Sequence, residues 1–236
     1  MASATDSPSI TSCRSAGGFG DVVAGRRSHG RRNCTGTWYR ARQTPLDLNR
    51  TMPGWIASAI VSLALLQAPA PISVRDLDGR TSTPLSPAAG TVHLLFFVNA
   101  ECPISSRYSP EIDRITAEYG KRGVRTWLVY ADPKLTTAAA RANLKAFHPA
   151  IAATAVIDAN FTLTKAVDAM ATPEAAVYTS RGRVYRGRID DWYQTIGQQR
   201  RAPTQRDLRV ALDAVLDGKP VPTPETTPVG CFIERK

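Results

Sequence analysis

The chain has 236 residues, with 30 Lys and Arg against 20 Asp and Glu, a formal net charge of +10. Half of that charge lies in residues 1–52, which carry eight Arg and three Asp; residues 53–236 carry 22 basic and 17 acidic groups. The main body is therefore only mildly basic, and charge alone makes no case for a nucleic-acid partner. No Gly-x-Ser-x-Gly elbow occurs, and neither a nucleotide cradle, a protease triad nor a glycosidase carboxylate pair is recognisable.

Residues 1–51 are rich in Ser, Thr, Gly and Arg without a sustained apolar period. Such a composition cannot bury enough surface to offset ordering, so a disordered or mis-annotated extension is expected, with Met52 as the natural start. Trp55 to Leu66 is apolar and is followed by Gln67, Ala68, Pro69 and Ala70. That length suits a signal h-region and is short for a bilayer span, so residues 52–70 read as a signal peptide. The alternatives are a retained membrane anchor and a buried helix. Export to the periplasm or outside the cell is the expectation, with membrane contact only through residues 55–66 if they are not cleaved. What remains is about 166 residues, enough for one domain with a sizeable core.

The domain opens with a short edge strand or hairpin from Ile72, turned at Asp78-Gly79. His93–Val98 is apolar on both faces, as buried parallel strands are. Directly after Cys102, the residues Ile104, Tyr108, Ile112, Ile115 and Tyr119 form one helical stripe, closed by Gly120 and Gly123. A strand follows at Val124–Tyr130. Then comes a helix from about Thr137 that presents Ala140, Leu144 and Phe147 inward and stops at His148-Pro149. Thr154–Asp158 is a third strand, and β-α-β-α-β favours a parallel central sheet.

Beyond it, Ala175–Thr179 and Val184–Arg186 flank a turn and read as an antiparallel hairpin. Thr204 is placed to cap a last helix, with Asp207 completing a short capping box. Leu208, Leu212, Val215 and Leu216 line its inner face and Gly218 stops it. Residues 219–236 form a polar, Pro- and Thr-rich tail. It ends in Gly230, Cys231, Phe232 and Ile233, an apolar-flanked cysteine that is expected to dock back onto the domain.

Cys13 and Cys34 lie in the extension, leaving Cys102 and Cys231 for the domain. Cys102 stands where a core strand hands over to a helix N-terminus. Free N–H groups and the helix dipole favour the thiolate there, the form that attacks disulfides and peroxides. The bland alternative is a buried inert thiol at 102 with an incidental one at 231.

Cys102-Pro103-Ile104-Ser105 on a strand-to-helix turn, a following βαβ, and Thr172-Pro173-Glu174 before a hairpin resemble the thioredoxin-like superfamily. Within it the chain is most similar to the redoxin, or alkyl hydroperoxide reductase/thiol-specific antioxidant, branch in exported bacterial forms. The resemblance covers about residues 72–218, within a domain set at 71–218. It implies an α/β, thioredoxin-like three-layer fold with a mixed central sheet flanked by helices. It also implies a cis Pro173 facing the thiol, with Pro103, Thr172 and Pro173 binding substrate and no cofactor. The expected partner is a protein or small-molecule disulfide or thiol, including a reductant protein.

Ser105 stands where dithiol relatives have the resolving cysteine, so Cys102 either awaits an external thiol or pairs with Cys231. The Ser105 hydroxyl is expected to steady the Cys102 thiolate. Thiol peroxidases of this family carry Pro-x-x-x-Thr-x-x-Cys. Phe96–Cys102 has neither the proline nor the threonine, with Val98 and Asn99 near the threonine's place.

Three rival readings follow. One is a thiol peroxidase. The second is a copper carrier, with a soft site from Cys102, His148 and Cys231. The third is a non-catalytic interaction domain. Arg181, Arg183, Arg186 and Arg188 then form either a docking surface for an acidic partner or a solvated edge strand whose charges block sheet association.

Overall fold

The structure is a computed structural model that describes residues 70–235. The extension over residues 1–51, the start at Met52 and the apolar stretch 55–66 lie outside the described residues. Among the described residues no helix is long and apolar enough to cross a membrane.

The chain enters through a small hairpin, β1 (Val74–Arg75) and β2 (Thr81–Ser82), closed by the turn at Asp78-Gly79 with Gly79 at φ +79°. The central strand β3 (Val92–Val98) is buried along its whole length. Side chains alternate across a strand, so β3 serves two cores. Leu94, Phe96 and Val98 join one cluster and Leu95 and Phe97 the other. This explains the unbroken apolar run.

Helix α1 (Pro103–Gly120) lays Ile104, Tyr108, Ile112, Ile115 and Tyr119 into the first cluster, the stripe expected from sequence. Ile112 and Ile115 are fully buried, each worth about 1.5–3 kcal/mol. Strand β4 (Val124–Tyr130) returns parallel to β3, with Leu95 opposite Trp127. Helix α2 (Thr137–Phe147) starts at Thr136, whose hydroxyl accepts the Ala139 N–H at 3.2 Å. It buries Ala140 and half-buries Leu144, but Phe147 is 42% exposed, so the inward face is one turn shorter than expected.

Strand β5 (Thr154–Ile157) pairs parallel with β4. Next comes α3 (Thr162–Val167), a six-residue helix too short to show a period. It is held by the Asp158 carboxylate, which accepts from the Leu163 and Thr164 N–H groups and the Thr164 hydroxyl. After the two-residue β6 (Ala171–Thr172), β7 (Glu174–Thr179) and β8 (Gly182–Gly187) form the expected antiparallel hairpin. The sheet order is β5-β4-β3-β7-β8, with β7 antiparallel to β3. A small ribbon, β9 (Tyr193–Thr195) with β10 (Gln198–Gln199), precedes the last helix, α4 (Asp207–Leu216).

Helices α1, α2 and α4 pack into the first cluster and α3 into the second. A mixed sheet between helical layers, with parallel β3 and β4 and an antiparallel terminal hairpin, is the expected thioredoxin-like fold.

The expected capping box of α4 is corrected. Its N-cap is Arg206, without a side-chain cap, and Thr204 is drawn away by Asp191. The C-terminus is as expected: Gly218 at φ +71° bonds the Val215 carbonyl and Lys219 that of Ala214, a Schellman closure.

The tail crosses β8, where Arg186 N–H bonds the Pro224 carbonyl and Thr226 N–H the Arg186 carbonyl. Gly187 is required at this crossing, because a Cβ would sit 2.2 Å from the Thr226 hydroxyl oxygen. The tail then forms β11 (Cys231–Phe232), antiparallel to β6. Within the arginine cluster, Arg181 and Arg183 are exposed, whereas Arg186 and Arg188 are half-buried. Arg186 is bound to Asp168 and Glu225, Arg188 to Asp207, and Arg183 to the Val167 carbonyl. At Arg186 the tail pairs with the strand edge that free charges were expected to protect.

Candidate functional site

At the end of β3, the Asn99 side chain accepts the Glu101 N–H at 2.7 Å and its carbonyl accepts the Cys102 N–H at 3.2 Å. This local turn sets Cys102 as the N-cap of α1, with Pro103 at the first helical position, where an N–H has no intrahelical partner. Cys102 is 2% exposed, and its Sγ lies 3.2 Å from the Thr172 carbonyl oxygen. The Thr172–Pro173 peptide bond is cis. Thiol, Thr172 and Pro173 thus converge as expected, but the sulfur is covered rather than open.

The cover is the tail. Cys102 and Cys231 form a disulfide across 129 residues, with a Cα–Cα distance of 6.1 Å. Cys231 stands opposite Thr172 and Phe232 opposite Ala171, and the Ile233 N–H bonds the Met170 carbonyl at 2.9 Å. Gly230 permits the approach: a Cβ there would lie 2.1 Å from the Thr172 carbonyl oxygen. Cys231 is half-buried and Phe232 is 69% exposed.

Glu174 supports this edge from within. Its buried carboxylate accepts the Met170 and Ala171 N–H groups at 2.7 and 3.2 Å. Burial holds its pKa above the ordinary carboxylate value, against those two bonds and the nearby Arg186. Sequence reasoning missed this role, because the signal is one acidic residue beside Pro173 in an otherwise apolar strand.

Ser105 makes no bond to the site in the disulfide form. Its hydroxyl is buried without a hydrogen-bond partner. With Ser109, Asn143 and His148 it lines a void of about 10 Å³ between α1 and α2. The hydroxyl that reaches the Cys102 backbone is that of Ser106, donating to its carbonyl at 3.4 Å.

The proposed soft metal set is also corrected. His148 uses both ring nitrogens elsewhere, Nδ1 at 2.5 Å from Asp113 and Nε2 at 3.2 Å from Ser109, and the two cysteines are joined to each other. Among the described residues no group of three or more His, Cys, Asp or Glu is arranged to hold a metal ion.

Ser109, His148 and Asp113 have the connectivity of a hydrolase relay, which sequence reasoning did not find. Ser109 and Asp113 share a helical face four residues apart. The adjoining void of about 10 Å³ admits no substrate at the Ser109 hydroxyl, so the relay ties α1 to the end of α2. Tyr108 is core as expected, and its hydroxyl also donates to Asp190 at 2.6 Å.

Beside the disulfide opens a groove of about 850 Å³, bordered by Glu101, Asp132, Lys134, Lys165, Thr172 and Phe232. Both signs of charge face it, together with one exposed aromatic ring. It lies beyond the C-terminal ends of β3 and β4, where open α/β sheets bind their ligands.

A strand-to-helix cysteine set against Thr172 and a cis Pro173 stands on a sheet of thioredoxin-like fold. Among solved structures the chain is similar to a hypothetical protein from Sinorhizobium meliloti, at 27% identity and TM-score 0.58, covering 71% of this chain and 92% of that one. It is also similar to an uncharacterized conserved protein from Geobacillus kaustophilus, at 23% identity and TM-score 0.59, covering 71% and 89%. A thioredoxin-like protein from Aeropyrum pernix shares 18% identity at TM-score 0.43, over 56% and 89%. No family model and no curated protein matches the sequence.

Proposed function

We propose that the chain is an extracytoplasmic thiol–disulfide oxidoreductase of the redoxin type, with residues 71–218 as the redox domain and residues 219–236 as an arm carrying Cys231. The observation that carries this reading is the Cys102–Cys231 disulfide, closed against the Thr172 backbone. A purely structural bridge has no need of a helix N-terminus at one sulfur, a half-buried second sulfur and an adjoining groove.

In the reduced chain the Cys102 thiolate attacks one sulfur of a substrate disulfide, forming a mixed disulfide and releasing the other sulfur as a thiolate. The Cys231 thiolate then attacks the Cys102 sulfur. The Cys102–Cys231 bond forms, the second substrate thiolate leaves, and two electrons have passed to the substrate. The free N–H groups at the start of α1 stabilise the Cys102 anion, and Pro103, Thr172 and Pro173 border the reacting sulfur. Substrates are thus disulfides or thiols, small or on a protein. Export through residues 52–70 places this chemistry where disulfides persist.

The test is equilibration of the full chain with glutathione buffers, followed by alkylation and mass analysis, alongside disulfide reduction assays. A bridge that titrates reversibly, with activity lost in both Cys102→Ser and Cys231→Ser, supports the reading. A bridge that stays closed at every accessible potential defeats it.

A further inference from the structure

The oxidised site is asymmetric. Cys102 is 2% exposed, whereas Cys231 is half-buried and followed by the largely exposed Phe232. Disulfide exchange is an in-line displacement, so an attacking thiolate reaches one sulfur from the side opposite the sulfur that leaves. Beside Cys102, the Thr172 carbonyl oxygen stands 3.2 Å from Sγ, and the residue belongs to the first core cluster. Cys231 belongs to a two-residue strand at the rim, beside the groove bordered by Glu101, Thr172 and Phe232.

The departing group points the same way. If Cys231 is attacked, Cys102 leaves as a thiolate at the start of an 18-residue helix. If Cys102 is attacked, Cys231 leaves from a two-residue strand and is not itself the cap of a helix. A more acidic leaving thiol departs faster.

On this basis we infer that the oxidised protein is opened at Cys231, so that electrons enter through the tail cysteine while Cys102 is the leaving sulfur. This rests on the redox reading above. A reductant thiolate attacks Cys231, the Cys231–Cys102 bond breaks, and a reductant–Cys231 mixed disulfide forms. The Cys102 thiolate takes up a proton, and its S–H donates to the Thr172 carbonyl. A second reductant thiolate displaces Cys231 as its thiolate, releasing the oxidised reductant as a disulfide. The overall change is two reductant thiols for two protein thiols.

The required co-reactant is a thiol, and glutathione is the probe. The oxidised full chain is mixed briefly with glutathione, quenched in acid, alkylated at the free thiols and digested, so that peptides bearing Cys102 and Cys231 are read separately. The expected result is glutathione on Cys231 with the alkyl label on Cys102, in about ten-fold excess over the opposite pattern. Glutathione mainly on Cys102 overturns the inference and leaves the redox reading standing. No adduct and no reduction overturns the redox reading itself.

A second measurement uses the reduced single-cysteine variants. Alkylation followed across pH should titrate Cys102 in Cys231→Ser at a lower midpoint than Cys231 in Cys102→Ser, as its role as the leaving sulfur requires. Equal midpoints, or the reverse order, overturn the inference.

Discussion

At the scale of single residues, two carboxylates pull the pH response in opposite directions. Burial alone would raise Asp191, but the Gln205 and Thr204 N–H groups, the Thr204 hydroxyl and Arg200 outweigh it and bring the value down from 3.8 to about 2. Its contribution to stability is present above pH 3.8 and is lost as pH falls toward 2. Glu174 has a raised value, so its contribution is greatest below the ordinary 4.5 and is lost as pH rises through the folded-state value. Urea midpoints measured across pH should therefore lose the acid-side fall in Asp191→Asn and the higher-pH decline in Glu174→Gln. Unchanged slopes in either variant would refute its assignment. Gly230 makes a third, steric prediction: in Gly230→Ala the new Cβ meets the Thr172 carbonyl at 2.1 Å. The variant should lose about 1–3 kcal/mol and show more free thiol on Ellman titration of the oxidised protein.

At the scale of elements, α1 carries Pro110 in its eighth position, exposed to solvent. Proline there supplies no N–H to the Ser106 carbonyl, so Pro110→Ala should stabilise the reduced and oxidised protein alike by about 1–3 kcal/mol in thermal melts. A lower melting temperature would show that this turn needs the proline. The elements that sequence reasoning found are those whose cause is local. Seven buried residues in β3, the stripe from Ile104 to Tyr119 and the glycine after Leu216 each announce themselves within a few positions. What it missed depends on partners far along the chain. Thr204 has a good capping side chain, yet Asp191, thirteen residues earlier, bonds it first. Phe147 keeps the helical period but lies beyond the surface that α2 covers. The arginines of β8 alternate like a solvated edge, and only the returning tail shows Arg186 to be its anchor.

At the scale of the whole molecule, the tail is part of the domain's construction. It runs along β8, bonds through Thr226 and Glu225, and ends against β6. Closing a span of 129 residues with one covalent bond removes much conformational freedom from the unfolded chain. Cys231→Ser should therefore lower stability by about 3–5 kcal/mol, read as a melting shift that excess reductant reproduces in the wild-type protein. A melting temperature indifferent to both would mean that non-covalent contacts alone hold the tail. The central residues of the site were readable because Cys102, Thr172-Pro173 and Cys231 stand in a recognisable order. Burial of the first sulfur was not, since it follows from where the arm lies. The distance between the two cysteines also sets a timetable during synthesis. At about 5–20 residues per second, Cys231 is made roughly 6–26 s after Cys102. Throughout that interval Cys102 has no native mate, so the nascent polypeptide carries a bare sulfhydryl that cellular oxidants can capture.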